Sequence, residues 1–316
     1  MSNSSATRFF QSNKKMAFVI IALLFSYSSF ACEICGCSIN GYHYGILPQF
    51  KKNFIGVKYG YRSYQSQHLI SETLHILGNR STEYYNSAEI WGRYYVNKRL
   101  QLFAFVPFNH FRQHESGVST TAKGMGDITL AASYMVYNTA ARKDKTFKQT
   151  LLAGGGVKVP TGKFDKSKSG QELNPSINTG SGSVDYLANL IYNCRYKRAG
   201  LNLDANYRVN GANGKDFRFG NRFTSAARFF YWQDVGKKIT LLPNSGIMYE
   251  HAEKDRHQQE LQKFSGGNIQ FFTAGLEVYS GILNVGVTYN HPLSQNLSEG
   301  LVTMNNQFSA HLNILF

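Results

Sequence analysis

The chain has 316 residues and a net charge of +15, with 34 Lys and Arg against 19 Asp and Glu. A basic soluble protein of this kind would suggest nucleic acid, but no nucleic-acid motif occurs. Beyond the N-terminal segment, no stretch approaches the ~20 apolar residues of a membrane helix, so a helical span is excluded too.

The chain opens with a basic stretch, Arg8, Lys14 and Lys15, followed by the apolar run Met16–Phe25. Ser29-Phe30-Ala31 then offers small residues where a signal peptidase reads. This pattern predicts a signal peptide over 1–31, cleaved before Cys32, and so an exported protein. Cys32 at the new N-terminus also raises lipidation, although Phe30 is bulky where a lipoprotein box wants a small residue. Residues 32–53 form a segment of their own and carry Cys32-Glu33-Ile34-Cys35-Gly36-Cys37.

From Phe54 onward the apolar residues recur with a period of two. Twelve strands are predicted, beginning with Phe54–Tyr64, Tyr84–Val96, Leu100–Arg112, Asp127–Asn138, Lys148–Val159 and Val184–Asn193. In the seventh, Leu201, Leu203, Ala205, Tyr207 and Val209 alternate with polar residues through Asn210. Arg222–Gln233, Lys238–His251, Asn268–Tyr279, Ile282–His291 and Met304–Phe316 complete the set. Each is near the length that crosses a bilayer as a tilted strand.

The connections sort by parity. After even strands they are short (Asn97-Lys98-Arg99, Cys194–Gly200, Asp234–Lys237), with Thr139–Phe147 somewhat longer. After odd strands they are long and polar: Gln65–Glu83, Gln113–Gly126, Pro160–Ser183, Gly211–Asn221, Ala252–Gly267 and Pro292–Thr303. Short turns on one side and long loops on the other mark an outer-membrane barrel, and an even count puts both chain ends on the periplasmic side. The chain ends on Phe316, at the tip of a strand with Phe308, Ala310, Leu312 and Ile314 on one face. That ending resembles those of bacterial outer-membrane barrels, in which the terminal aromatic strand is read by the insertion machinery. The expected fold is therefore all-β: an antiparallel up-and-down transmembrane barrel over 54–316, placed in the bacterial outer membrane and in contact with its lipid.

Two motifs carry a family resemblance. Gly124-Met125-Gly126-Asp127-Ile128-Thr129-Leu130 is similar to a G-x-G-D strand start, and Lys158-Val159-Pro160-Thr161-Gly162 to the K-x-P-T-G strand exit that follows it. With Gly180-Ser181-Gly182-Ser183-Val184-Asp185-Tyr186, the chain resembles the family labelled meta-pathway of phenol degradation, whose members are often called outer-membrane transporters. The resemblance implies an outer-membrane barrel and carries little about the solute. Read on their own, the glycines serve turns and strand curvature.

Two constellations bear on chemistry. Cys32, Cys35 and Cys37 could converge with Cys194 on a soft ion, Cu(I) or Zn(II), since Cys194 is predicted in a turn on the same side of the membrane. Such a site could dock a periplasmic metal carrier. In an oxidising compartment the same four cysteines could instead form disulfides that tether the N-terminus. The second constellation is the inward face. Alternation places Lys58, Arg62, Arg93, Lys158, Arg208, Arg222 and Arg228 on it with Glu89, Asp127, Asp185, Asp204, Glu250 and Glu277. Opposed charges across a narrow pore would screen solutes by charge, and Trp91, Phe103, Phe230 and Trp232 could fill much of the lumen.

The expected function is a channel or transporter for a small solute, not an enzyme. The alternatives are a non-conducting structural barrel and an outer-membrane hydrolase. A hydrolase would draw on His110, His114, His251, His257 or His291 with Ser116, Glu253 or Asp255, but no nucleophile motif marks any of them.

Overall fold

The computed structural model describes residues 52–71, 76–139, 146–165, 167–168, 171–172 and 174–316. The expected leader and Cys32, Cys35 and Cys37 lie outside the described residues. Twelve antiparallel strands close a barrel. They are β1 (Phe54–Ser71), β2 (Ile76–Tyr95), β3 (Leu100–Glu115), β4 (Ile128–Asn138), β5 (Phe147–Val159) and β6 (Asp185–Tyr196). The second half comprises β7 (Ala199–Val209), β8 (Arg222–Tyr231), β9 (Ile239–Ala252), β10 (Gly267–Ser280), β11 (Leu283–Leu297) and β12 (Gln307–Leu315). Each pairs with its sequence neighbours, and β12 closes the ring by pairing with both β11 and β1. Asn53 and Phe316 exchange backbone hydrogen bonds of 3.1 and 3.0 Å where the first and last strands of the wall meet. Closure leaves the wall without an open sheet edge, as a membrane barrel requires.

The alternation read from the sequence sets the two faces. Ile55, Val57, Ile90, Leu102, Leu130, Leu190, Ile247, Val285, Leu312 and Ile314 are exposed on the outer wall. Tyr94, Tyr134, Tyr196, Tyr231 and Phe316 ring its turn side, an aromatic girdle of the kind that sits at the headgroup level. Arg99 donates to the Tyr134 hydroxyl there (3.2 Å), and the Lys197 ammonium stands 5.5 Å from the Tyr196 ring.

The strands outrun their predicted ends on the loop side. Much of Gln65–Glu83, expected as a loop, belongs to β1 and β2, which stay paired up to Ser71 and Ile76. Within Gln113–Gly126, Val118–Met125 pairs with the outer half of β3, and β4 takes over the inner half. β11 likewise continues past His291 to Leu297, with a register irregularity at Gln270–Phe271 on its partner β10. Outside the bilayer both faces meet water, so the ladder continues while the apolar–polar alternation that reveals a strand fades. Small sheets also form within the loops: Phe217–Arg218 pairs with Arg256–His257, which pairs with Glu260–Leu261. Cys194 is a further correction. It lies within β6, opposite Gln149 and Leu201, rather than in a turn.

The lumen holds two apolar layers. The turn-side layer joins Phe54, Trp91, Phe103, Phe105, Ala131, Met135, Leu152, Ile191, Phe230, Leu242, Tyr279 and Leu315, with Trp232 packed against it. Every strand but β7 and β11 contributes. The loop-side layer joins Tyr64, Tyr85, Phe111, Ala226, Met248, Ile269, Phe271, Leu297, Val302 and Met304, together with Ile177 from the connection between β5 and β6.

Candidate functional site in the barrel lumen

Between the layers lies a polar chamber of about 60 Å³, bordered by Lys58, Arg62, Glu89, Asp204, Arg228 and Glu250 among others. The inward parity of these positions follows from the strand alternation that sends Val57, Ile90, Leu203 and Ile247 to the outer wall. Arg228 Nη1 donates to Asp204 Oδ2 at 2.8 Å between adjacent strands. Arg62 Nη2 meets Glu250 Oε1 at 3.4 Å, and because β1 and β9 are not neighbours this pair spans the lumen. Lys58 and Glu89 are direct register partners on β1 and β2. One Glu89 carboxylate oxygen, Oε2, is buried without a hydrogen-bond partner and borders the chamber.

Below the chamber, Glu277 belongs to a network the sequence reading did not assemble. His311 Nε2 lies 3.1 Å from Glu277 Oε2 and 3.2 Å from Asn284 Oδ1. Asn284 donates to Glu277 (2.9 Å), and Asn313 donates to Asn284 (2.7 Å). The signal was present as the polar face of the last strand, but it carried no partner. At the turn-side mouth, Arg93 donates twice to the Lys52 carbonyl, at 3.2 and 2.7 Å. It also lies over the Phe54 and Tyr95 rings, 5.2 and 5.1 Å from their centroids. Arg208 and Arg222 stand opposite each other near the loop side.

The family-resembling motifs converge on one point. Lys158 Nζ bridges Asp127 Oδ2 (2.9 Å) and Asp185 Oδ2 (2.6 Å). Asp127 also accepts from the Gly162 amide (3.0 Å), the Ser181 amide (2.8 Å) and the Ser181 hydroxyl (2.8 Å). Ser181 contacts Lys158 as well. Thr161 links the two strands: its hydroxyl donates to the Gly126 carbonyl (2.8 Å) and accepts from the Ile128 amide (2.9 Å). Ser183 and the Gly211 amide both donate to Asp185 Oδ1, at 2.8 and 3.2 Å. Gly162 and Gly180 pass so closely that a Cβ on Gly162 would lie 2.7 Å from the Gly180 Cα. These glycines are required by close approach rather than by strand curvature.

Several acids and bases of the inner face thus meet as ion pairs, Lys158 with Asp127 and Asp185, Arg228 with Asp204, and Arg62 with Glu250, the last across the barrel. Among the histidines named above, His114 Nδ1 lies 2.6 Å from the Ser119 hydroxyl on an exposed strand extension. His291 Nδ1 lies 2.8 Å from Asn306 Oδ1. Cys194 is a free thiol, and by the alternation of β6 it sits on the outer side of the wall, with Tyr186 and Leu190. Among the described residues no group of three or more His, Cys, Asp or Glu is placed to hold a metal. Cys32, Cys35 and Cys37, the other expected ligands, lie outside the described residues.

A closed antiparallel barrel with an apolar outer belt, an aromatic girdle and a polar chamber inside defines a bacterial outer-membrane β-barrel protein. The sequence matches the model of the family described as "Putative MetA-pathway of phenol degradation" over residues 79–290, more than half of the chain, and the protein belongs to that family. No curated protein matches the sequence. Among solved structures, an outer membrane channel from Pseudomonas putida F1 is similar at 14% identity and a TM-score of 0.61, over 84% of this chain and 96% of that one. The β domain of the Bordetella autotransporter BrkA aligns at 10% identity and a TM-score of 0.48, over 84% of this chain and 99% of that one. The first likeness supports the fold.

Proposed function

We propose that the protein is a gated channel that passes a small solute across the outer membrane. The observation that carries this reading is the charged chamber enclosed between two apolar layers. A barrel serving only as a wall gains nothing from Glu89, Asp204, Glu250, Lys58, Arg62 and Arg228 gathered in its centre, since buried ion pairs are at best a weak source of stability. Lined groups of both signs supply polar contacts to a passing solute and screen it by charge. The family description names phenol degradation, and the Tyr64, Tyr85 and Phe111 rings of the loop-side layer suit a small aromatic solute that also carries a polar group. In this reading residues 1–31 direct export, residues 32–53 lie at the periplasmic mouth, and the long loops face outward.

The test is current through planar bilayers. Steady conductance with a modest anion preference is expected, and Arg208→Glu combined with Arg228→Glu should shift selectivity toward cations. A barrel that never conducts, even with residues 32–52 deleted, would favour a purely structural role instead.

A further inference from the structure

The connection between β5 and β6 does not stay outside the barrel. Ile177 is 1% exposed and shares one apolar cluster with Tyr64, Tyr85 and Phe111, the inward residues of β1, β2 and β3. It is the member of the loop-side layer that comes from between two barrel strands rather than from the wall or the chain past β11. Its own segment holds it in a tight turn: the Ile177 amide donates to the Asn174 carbonyl (2.9 Å), and the Ser176 amide to the Asn174 side chain (2.9 Å). Asn178 spans back to the outgoing arm of the connection. It accepts from the Asp165 amide (2.8 Å) and donates to the Asp165 carbonyl (3.1 Å).

The segment is also tied to the wall at its far end. Asn109 of β3 donates to the Thr179 carbonyl (2.8 Å), and the Gly180 amide donates to the Lys163 carbonyl (3.0 Å). Ser181 then enters the Asp127–Lys158 site described above. The Asn213 side chain adds a bond to the Ser181 carbonyl (3.0 Å). A wall built from strand side chains alone would need none of these bonds. A side chain that must be held at a fixed depth in the lumen needs all of them.

We propose that Ile177 sets the size cut-off of the lumen, and that Asp127, Lys158 and Ser181 are the positioning residues that hold it there. The proposal rests on the channel reading and deepens it: the loop-side layer becomes a constriction whose width is set by one inserted side chain. Asp127 is the decisive anchor because it is surrounded by donors. An amide nitrogen in place of Oδ2 would face the Ser181 amide and the Lys158 ammonium, both of which also donate, so Asp127→Asn turns two attractions into a repulsion. The segment then keeps its neutral bonds to Asn109, Lys163 and Asn213 but loses its charged anchor, and Ile177 is held less tightly at its depth.

Two measurements test this. With Cys32, Cys35, Cys37 and Cys194 replaced by Ser, Ile177→Cys is reacted with a small charged methanethiosulfonate reagent in outer-membrane vesicles. Slow labelling is expected with Asp127 present, and labelling at least tenfold faster with Asp127→Asn. Heat-dependent gel mobility confirms that both barrels are folded. Equal and fast labelling in both backgrounds would overturn the positioning role. In planar bilayers, Ile177→Ala should raise unitary conductance and Ile177→Trp should lower it. A conducting barrel whose unitary conductance is the same in both variants would overturn the constriction while leaving the channel standing. A barrel silent in every variant, with the labelling difference intact, would overturn the channel and the size cut-off together and leave a latched plug.

Discussion

The two apolar layers of the lumen fill the same bore by different means. The turn-side layer is woven from the wall: Trp91 packs edge-on to Phe54 (4.6 Å between centroids) and stacks on Phe105 (6.2 Å), and Phe105 stacks on Phe103 (6.2 Å). Its residues are inward positions of paired strands, and none can leave without breaking the ladder. The loop-side layer has its own ring contacts, Tyr64 on Tyr85 (5.4 Å) and Tyr85 on Phe111 (4.9 Å), but it includes Ile177, which is held by side-chain and loop hydrogen bonds. One end of the barrel is therefore narrowed by the wall itself and the other by a latched segment. A channel of this build has a fixed end and an adjustable end, and substitutions at the two ends should separate stability from conduction.

The largest effect is expected at the latch charge. Lys158→Met leaves Asp127 and Asp185 buried and without their shared cation. Breaking a buried pair by removing one partner costs roughly 3–5 kcal/mol. Urea unfolding in lipid should show a loss of that order, and adding Asp127→Asn and Asp185→Asn should recover part of it. At the fixed end, Trp91→Ala should cost about 3 kcal/mol, the lower part of the range for large aromatic truncations, because the Phe54 and Phe105 rings can close on the space. Trp232, the other of the two tryptophans, reports that unfolding by fluorescence. If Trp91→Ala also matched Ile177→Ala in raising conductance, the two layers would not differ in kind.

The division between wall and latch also governs what could be read from the sequence. Every barrel strand was legible, because membrane on one side and lumen on the other enforce a period of two. Parity proposes the inner-face positions, Arg62 and Glu250 among them, but the contact between these two across the barrel depends on which strands end up opposite. Three short motifs around Asp127, Lys158 and Ser181 were visible as motifs, but their purpose was not. Their meaning lies in bonds between segments as far apart in sequence as Asp127 and Ser181, and no local pattern encodes that distance. Ile177 carried no signal at all: in a polar loop that also holds Phe164 and Leu173, nothing marks it out. Cys194 falls in an expected turn because the strand is read as ending at Asn193, whereas the ladder runs on to Tyr196.

A smaller effect is expected in the loops above the adjustable end. Asp255 is buried there and accepts from the Gly220 amide at 2.7 Å. Burial raises its carboxyl to about 6, against the opposing pull of the Gly220 N–H and the Arg222 charge. A carboxyl raised in the folded state binds its proton more tightly there than in the unfolded chain, so stability falls as pH rises between the ordinary carboxylate range and about 6, and is level above that. The shift corresponds to about 2–3 kcal/mol. Protease resistance of the 252–267 loop should be higher at pH 4.5 than at pH 7.5, and Asp255→Asn should remove the difference. A loop that becomes more resistant as pH rises would contradict the sign.

The smallest effect is expected at Cys194, and its smallness is informative. Cys194 is paired on both sides by unbroken ladders, to Gln149 of β5 and Leu201 of β7, and its side chain leans on the outer wall away from the lumen. Its backbone position is thus fixed by the barrel ladder. Cys194→Ser should change the unfolding free energy by less than about 0.5 kcal/mol, as expected of an outer-face substitution that keeps a polar partner for Tyr192. Reducing agent should leave the melting of the wild-type barrel unmoved. A disulfide from Cys194 to the N-terminal cysteines would behave otherwise, since closing a long loop is typically worth 2–4 kcal/mol. A loss of that size, on substitution and on reduction alike, would make the turn-side end a tethered one, and the contrast between a fixed end and a latched end would then have to be redrawn as a contrast between two latches.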